Sequence, residues 1–356
     1  MPGLAPERGE TDLKPDSPTE VAARTAVLLV NLGTPEAPTP AAVRTYLKEF
    51  LLDRRVVEIP RILWRPVLQG VILPRRGRDS AARYAGIWTS EGSPLLVYSR
   101  RQQHQLSLEL ASRGLSVDVE LAMRYGEPSL AAAFDRMRHA GVGRILVLPM
   151  YPQYSATSTA SVLDGVMHRM LGLRDVPELR WVRDFHDDPG YVDALAQSVL
   201  ADWDVRGRPD RLLLSFHGLP RRNITLGDPY QEQCLRTAQC LAEVLQLPAE
   251  MWAVSFQSRF GRARWIEPYT VDTLHAWGRA GVGRVDVLCP GFVADCLETL
   301  EEIAIEARKE FLTAGGREFR AIPCLNASPQ FISALADLVQ RHVQGWPGGS
   351  PASAAS

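Results

Sequence analysis

The chain resembles itself, and that repeat narrows its possible folds more than any other feature. Val27-Leu28-Leu29-Val30-Asn31-Leu32-Gly33-Thr34-Pro35 aligns with Leu212-Leu213-Leu214-Ser215-Phe216-His217-Gly218-Leu219-Pro220, each an apolar run closing on Gly-x-Pro. Further on, Ala140-Gly141-Val142-Gly143-Arg144 and Ala280-Gly281-Val282-Gly283-Arg284 lead into second apolar runs that end at Pro149 and Pro290. Short apolar runs bounded by Gly and Pro read as buried strands. Helical patterns lie between them, Pro40 to Leu52 and Gln102 to Ser112 among them. Strand and helix in alternation predict an α/β fold whose mostly parallel sheet carries helices on both faces. The repeat predicts two lobes of related design with a cleft between them.

Residues 1–24 read as a disordered arm, 25–188 as the first lobe, 189–343 as the second, and 344–356, rich in Pro, Gly, Ser and Ala, as a loose tail. The formal charge of −1 argues against a chain built to hold nucleic acid. No uncharged apolar run reaches the ~18 residues of a bilayer span, and the acidic start is unlike a secretory signal. Five cysteines with no Cys-x-x-Cys pair fit neither a zinc ribbon nor a disulfide framework. A reducing compartment, the cytoplasm, fits them better.

Ligands of open α/β sheets bind outside the carboxyl ends of strands, so chemistry is sought there. His217 directly follows one such strand and precedes Gly218; the equivalent residue of the first lobe is Leu32. It is either a strand-end histidine bonded to backbone or an imidazole facing a ligand. Asp295 to Glu306 carries Glu298, Glu302 and Glu306 at i, i+4, i+8, which on an α-helix stack along one face. That row either meets cations and protons or is a solvated helix start, with Asp295 as N-cap and Glu298 at N3. Tyr151-Pro152-Gln153-Tyr154-Ser155-Ala156-Thr157-Ser158-Thr159 suits a flat aromatic ligand, an anion at a helix N-terminus, or a polar capped loop. Residues 61–73 place Leu63, Trp64, Val67, Leu68, Val71 and Ile72 on one stripe flanked by arginines: core, an apolar lip, or a membrane-touching face. No Gly-x-Gly-x-x-Gly, P-loop or Gly-x-Ser-x-Gly motif supports nucleotide binding or a hydrolase nucleophile.

These residues, taken in order, resemble the ferrochelatase family, whose members put ferrous iron into a porphyrin. The likeness runs from about Val27 to Val339 and rests on Asn31-Leu32-Gly33-Thr34-Pro35, Gly92-Ser93-Pro94-Leu95, Met123-Arg124-Tyr125, Tyr151-Pro152-Gln153-Tyr154-Ser155, Ser215-Phe216-His217-Gly218-Leu219-Pro220, Phe256-Gln257-Ser258-Arg259 and Asp295 to Glu302. The resemblance implies two Rossmann-like lobes around a porphyrin cleft. It implies His217 and Glu298 as the catalytic, metal-meeting pair, with Glu302 and Glu306 trailing outward as a proton or metal path. It also implies Leu32, Trp64, Ser93, Arg124, Tyr125, Tyr151 and Trp265 as porphyrin-binding. Relatives often carry histidine where this chain has Cys296. Leu32 matches the protoporphyrin type, and no cysteine after Cys324 suggests an iron–sulfur cluster, so none is expected.

The expected reaction is Fe2+ plus protoporphyrin IX giving protohaem and two protons, with iron as substrate and no permanent cofactor. Peripheral membrane contact through residues 61–73 is a further expectation. The rival expectations are a chelatase for coproporphyrin, sirohydrochlorin or cobalt, and a bilobal haem or metal carrier without chemistry.

Overall fold

The computed structural model describes residues 24–261 and 263–350. Apart from Arg24, the expected N-terminal arm lies outside the described residues. The first half runs β1 (Arg24–Gly33), α1 (Pro40–Leu52), α2 (Arg61–Val67), a π turn (Leu68–Ile72), α3 (Leu73–Ile87), α4 (Pro94–Ser112), β2 (Val117–Tyr125), α5 (Leu130–His139), β3 (Val142–Pro149), α6 (Thr159–Met170), β4 (Glu178–Trp181) and α7 (Pro189–Arg206). The second half follows as β5 (Arg211–His217), α8 (Arg221–Thr225), α9 (Tyr230–Val244), a short 3-10 turn, β6 (Trp252–Gln257), α10 (Thr270–Arg279), β7 (Arg284–Leu288), a π-helix (Glu298–Ala307), α11 (Arg308–Thr313), β8 (Glu318–Ala321) and α12 (Pro329–His342).

The strands form two four-stranded parallel sheets, β2-β1-β3-β4 and β6-β5-β7-β8. The two halves therefore share one strand order, as the repeat predicts. The strongly apolar runs become β1 and β5, which are paired on both edges. Period-two alternation splits each strand between two cores. Val27 and Leu29, with Leu212 and Leu214, join a core common to both sheets and containing Trp203, Phe331 and Val339. Leu28 and Val30 face the opposite way, onto α5 and α6. Leu213, Val285 and Val287 pack under α10, the π-helix and α11. Burying one such leucine contributes about 2 kcal/mol.

Helices tie the halves together. α12 packs on α4 and α7, so the last helix of the second half reaches back to the first. The expected loose tail is corrected for 345–350. Trp346 is buried, its Nε1 donates to Glu178 at 2.8 Å, and the Arg180 guanidinium lies 4.2 Å over its ring. One indole supplies enough apolar surface and a donor to seat an otherwise small, polar segment. Among the described residues no helix is long and apolar enough to cross a membrane.

Candidate active site

Two strand ends build the inner part of the site. β5 ends at His217, half-buried, with its Nδ1 2.6 Å from the Gly218 carbonyl. A carbonyl only accepts, so Nδ1 carries a proton. Trp265 and Phe292 flank the imidazole at centroid distances of 6.3 and 6.4 Å. Gly218 is required by contact: a Cβ there would stand 2.8 Å from the Gln257 carbonyl. Gly33, its first-lobe counterpart, has φ +109° and would place a Cβ 1.8 Å from the Tyr125 carbonyl.

The acidic segment is not the α-helix that its i, i+4, i+8 spacing predicts. Glu298–Ala307 winds as a π-helix, and the Arg308 N–H reaches back to the Ile303 carbonyl. Asp295 does not cap it; its carboxylate accepts from the Thr299 hydroxyl at 3.0 Å and from the Asn326 amide at 2.7 Å. The wider turn breaks up the expected row. Glu306 shares Arg83 of α3 with Glu301, at 3.2 and 3.7 Å. Glu302 instead accepts from the Ser258 N–H and hydroxyl, both at 2.6 Å, and lines a cavity of about 210 Å3 with Ser258, Arg259, Tyr269 and Asp272. Burial holds the Glu302 carboxyl above its usual range, with Glu298 adding to the effect and Ser258 and His217 opposing it. Burial likewise raises Glu301, against the pull of Arg83.

Glu298 stands at the start of this π-helix, its carbonyl accepting from the Gln257 amide at 3.0 Å. Its charge is felt by Tyr84 of α3 and Tyr46 of α1, whose phenols burial has already pushed up and which therefore stay protonated. Cys296 is buried, and burial followed by the Glu298 charge keeps its thiol protonated. The start of the π-helix thus lies against the first lobe, where Leu297 packs with Val43, Ala81 and Tyr84. Gln257, the register partner of His217 across β5 and β6, holds the Glu298 carbonyl and so joins the two residues.

The proposed porphyrin residues separate into groups. Leu32 packs with Leu95, Ala294 and Cys296, on the Glu298 side. Trp265 lies beside His217. Ser93 is buried and accepts from the Thr34 hydroxyl at 2.8 Å. Arg124 is clamped to Asp53 at 2.5 Å and to the Ser161 carbonyl and hydroxyl at 2.8 Å. Tyr125 is only 1% exposed and donates to Asp53 at 2.8 Å, so its hydroxyl serves that carboxylate. The Tyr151 hydroxyl is buried near this group without a partner among the described residues.

In the loop after Tyr151, the Ala156 N–H donates to the Asp228 carboxylate of the second lobe at 2.8 Å. Gln153 donates to Thr237, the Tyr154 N–H to Gln233, and the Ser155 hydroxyl to Asp228, which staples this loop to the second lobe. The apolar stripe at 61–73 is divided. Leu68 is fully buried and Trp64 donates its indole N–H to the Leu51 carbonyl, whereas Ile62, Leu63, Val67 and Val71 are exposed. This lip meets the second lobe where Arg76 stacks 3.5 Å over the Phe260 ring and where Glu58 pairs with Arg222. Asp53, Ser161 and Arg83 are site neighbours that sequence reasoning misses, while Gln257 and Ser258 stand in a sequence motif that assigns them no role. The nearest signal was Arg124, a cation that had to find a counter-charge. Among the described residues, no three His, Cys, Asp or Glu side chains cluster so as to hold a metal ion.

A family model described as Ferrochelatase matches residues 24–343. A curated relative named ferrochelatase from Azoarcus sp. is 60% identical over 329 residues, 92% of this chain and 90% of the relative. Another from Bordetella pertussis is 56% identical over 328 residues, 92% of this chain and 91% of the relative. Among solved structures, SirB from Bacillus subtilis with Fe3+ aligns at a TM-score of 0.53 with 12% identity, covering 91% of this chain and 98% of that one. At that identity the likeness is one of fold.

Proposed function

Because this chain belongs to the ferrochelatase family, and so inserts ferrous iron into a porphyrin in haem synthesis, we propose that His217 and Glu298 meet the metal and the departing protons. The observation that carries this reading is the pairing of two features. The Nδ1 of His217 is taken up by the Gly218 carbonyl, which leaves Nε2 to serve the reaction, and Gln257, the register partner of His217 on β6, donates to the Glu298 carbonyl at 3.0 Å.

Insertion exchanges two pyrrole N–H protons for Fe2+, so charge balances with two protons released. A histidine, whose ordinary value is about 6.5, is suited to accept protons near neutrality. Imidazole with carboxylate also suits a borderline cation such as Fe2+. Glu302, held partly toward its neutral form, can relay a proton from His217 to the cavity it lines. Glu306 stands further out, where Arg83 already neutralises it, and ends the path.

Leu32, Trp265, Ser93, Arg124 and Tyr151 form or support the porphyrin wall in this reading, with Trp64 as a prop under the lip. Leu32 favours protoporphyrin IX as the substrate. The exposed Ile62, Leu63, Val67 and Val71, flanked by Arg61 and Arg65, form the face that would rest on a membrane from the cytoplasmic side. No iron–sulfur cluster or other resident cofactor enters this scheme.

An anaerobic absorbance assay with protoporphyrin IX or coproporphyrin III and Fe2+ tests substrate and chemistry together. Protohaem formed faster than coprohaem is the expected result, and the reverse order would reassign the substrate. His217→Ala should abolish insertion while leaving porphyrin affinity within about twofold, since a removed proton acceptor costs turnover before binding. Turnover near the unmodified rate would remove His217 from the reaction.

A further inference from the structure

Behind the acidic π-helix, one side chain of the first lobe holds two loops of the second. Gln102 lies on α4 and is fully buried. Its Nε2 donates to the Val293 carbonyl at 2.9 Å and to the Asn326 carbonyl at 2.7 Å. Both partners only accept, which fixes the orientation of the amide. Its Oε1 is left buried without a partner among the described residues. A stranded acceptor carries a desolvation cost that an apolar side chain of similar length avoids. Packing alone therefore does not account for an amide here; two donated hydrogen bonds do.

Both carbonyls sit on loops that lead to the metal-meeting carboxylate. Asn326, at φ +50°, donates from its N–H to the Val293 carbonyl at 3.0 Å. Its side chain accepts from the Asp295 N–H at 2.9 Å and donates to the Asp295 carboxylate at 2.7 Å. That carboxylate takes the Thr299 hydroxyl at 3.0 Å, and Thr299 Oγ1 in turn accepts from the Cys296 N–H at 3.0 Å. A continuous chain of hydrogen bonds thus runs from α4 to the first turn of the π-helix, beside Glu298. α4 also backs the opposite wall. Leu95 packs with Leu32, and the Ser99 hydroxyl accepts from Asn31 at 3.1 Å.

We propose that Gln102 is a positioning residue for iron insertion: it ties α4, which supports the Leu32 wall, to the loops that present Glu298. Gln102 touches no substrate. Its role rests on the reading of Glu298 given above and acts through it.

Gln102→Met keeps the length of the side chain and removes both donors. In the anaerobic assay kcat falls by about tenfold or more, because small misplacements of a reacting group cost rate steeply. The Kd of protoporphyrin IX, followed by fluorescence quenching, stays within about twofold. Asn326→Gly tolerates the left-handed backbone, drops the side-chain ties and gives the same loss. The double variant is no slower than the worse single, since both cut one chain. A porphyrin Kd that rises in step with the loss of kcat overturns the proposal, as do losses that multiply in the double variant. If Gln102→Met does not fold, Asn326→Gly and Asp295→Asn carry the same comparison. Glu298→Gln in the same assay separates the two readings. Full turnover there ends the role of Glu298, whereas slow Glu298→Gln beside normal Gln102→Met ends only that of Gln102.

Discussion

Asp53 holds Arg124, Tyr125 and Ser161 on one carboxylate, although nothing in its own sequence neighbourhood announces it. Burial works against its charge, but hydrogen bonds from Ser161, the Arg55 N–H and Tyr125, together with the Arg124 charge, outweigh it and lower its pKa. The stability this adds is present above the ordinary carboxylate value and is lost as pH falls through the lowered one. Asp53→Asn strands the Arg124 guanidinium and should cost about 3 kcal/mol at pH 7, read from urea unfolding. The gap to the unmodified protein should close as the pH falls past the ordinary carboxylate value and through the lowered one. A gap that persists there would mean the carboxylate acts by shape rather than charge. His217 was legible because one residue, one strand end and one glycine lie together in sequence. Asp53 was not, because its partners lie 71, 72 and 108 positions away.

The π-helix shows what periodicity leaves out. Leu297, Leu300 and Ile303 recur at a spacing that an α-helix also satisfies, so the wider i→i+5 winding leaves no distinct mark in so short a segment. Its effect is to sort the carboxylates by partner: Glu302 to Ser258, and Glu306 with Glu301 on Arg83. Glu302→Gln keeps most of its size and should slow iron insertion less than Glu298→Gln; the opposite order in steady-state rates would break the outward path. The lip is a second element whose pattern was read only in part. Its stripe predicts one face, yet a π turn and the Trp64 bond to Leu51 divide it into a buried and an exposed half. Leu63→Glu with Val67→Glu places two charges on the exposed half. Co-sedimentation with anionic lipid vesicles should fall by about fivefold or more while thermal stability is kept, as expected for burial at an interface. Unchanged co-sedimentation would remove this face from membrane contact.

Taken whole, the molecule has two sheets but a single inner core. Val27 and Leu29 of the first sheet share that core with Leu212 and Leu214 of the second, and α12 of the second lobe packs on α4 of the first. Heat or urea unfolding should therefore give coincident transitions by tryptophan fluorescence and far-ultraviolet circular dichroism; two resolved transitions would show lobes that fold apart. Sequence revealed the central strands because they are buried on both faces. The outer strands β2, β4, β6 and β8 mix charged or polar residues into their runs, as in Val117-Asp118-Val119-Glu120, and so escaped notice.

The seat of Trp346 also bears on how the chain matures. Thr25, on the first strand, donates its hydroxyl to the Pro347 carbonyl, 322 positions later, and the Ser116 N–H donates to Gly348 at 3.1 Å. On a ribosome, β1 is made long before the segment that covers its margin. Those two bonds form only after residue 348 has left the ribosome, and a nascent chain stalled short of that point keeps a raw seam beside Thr25.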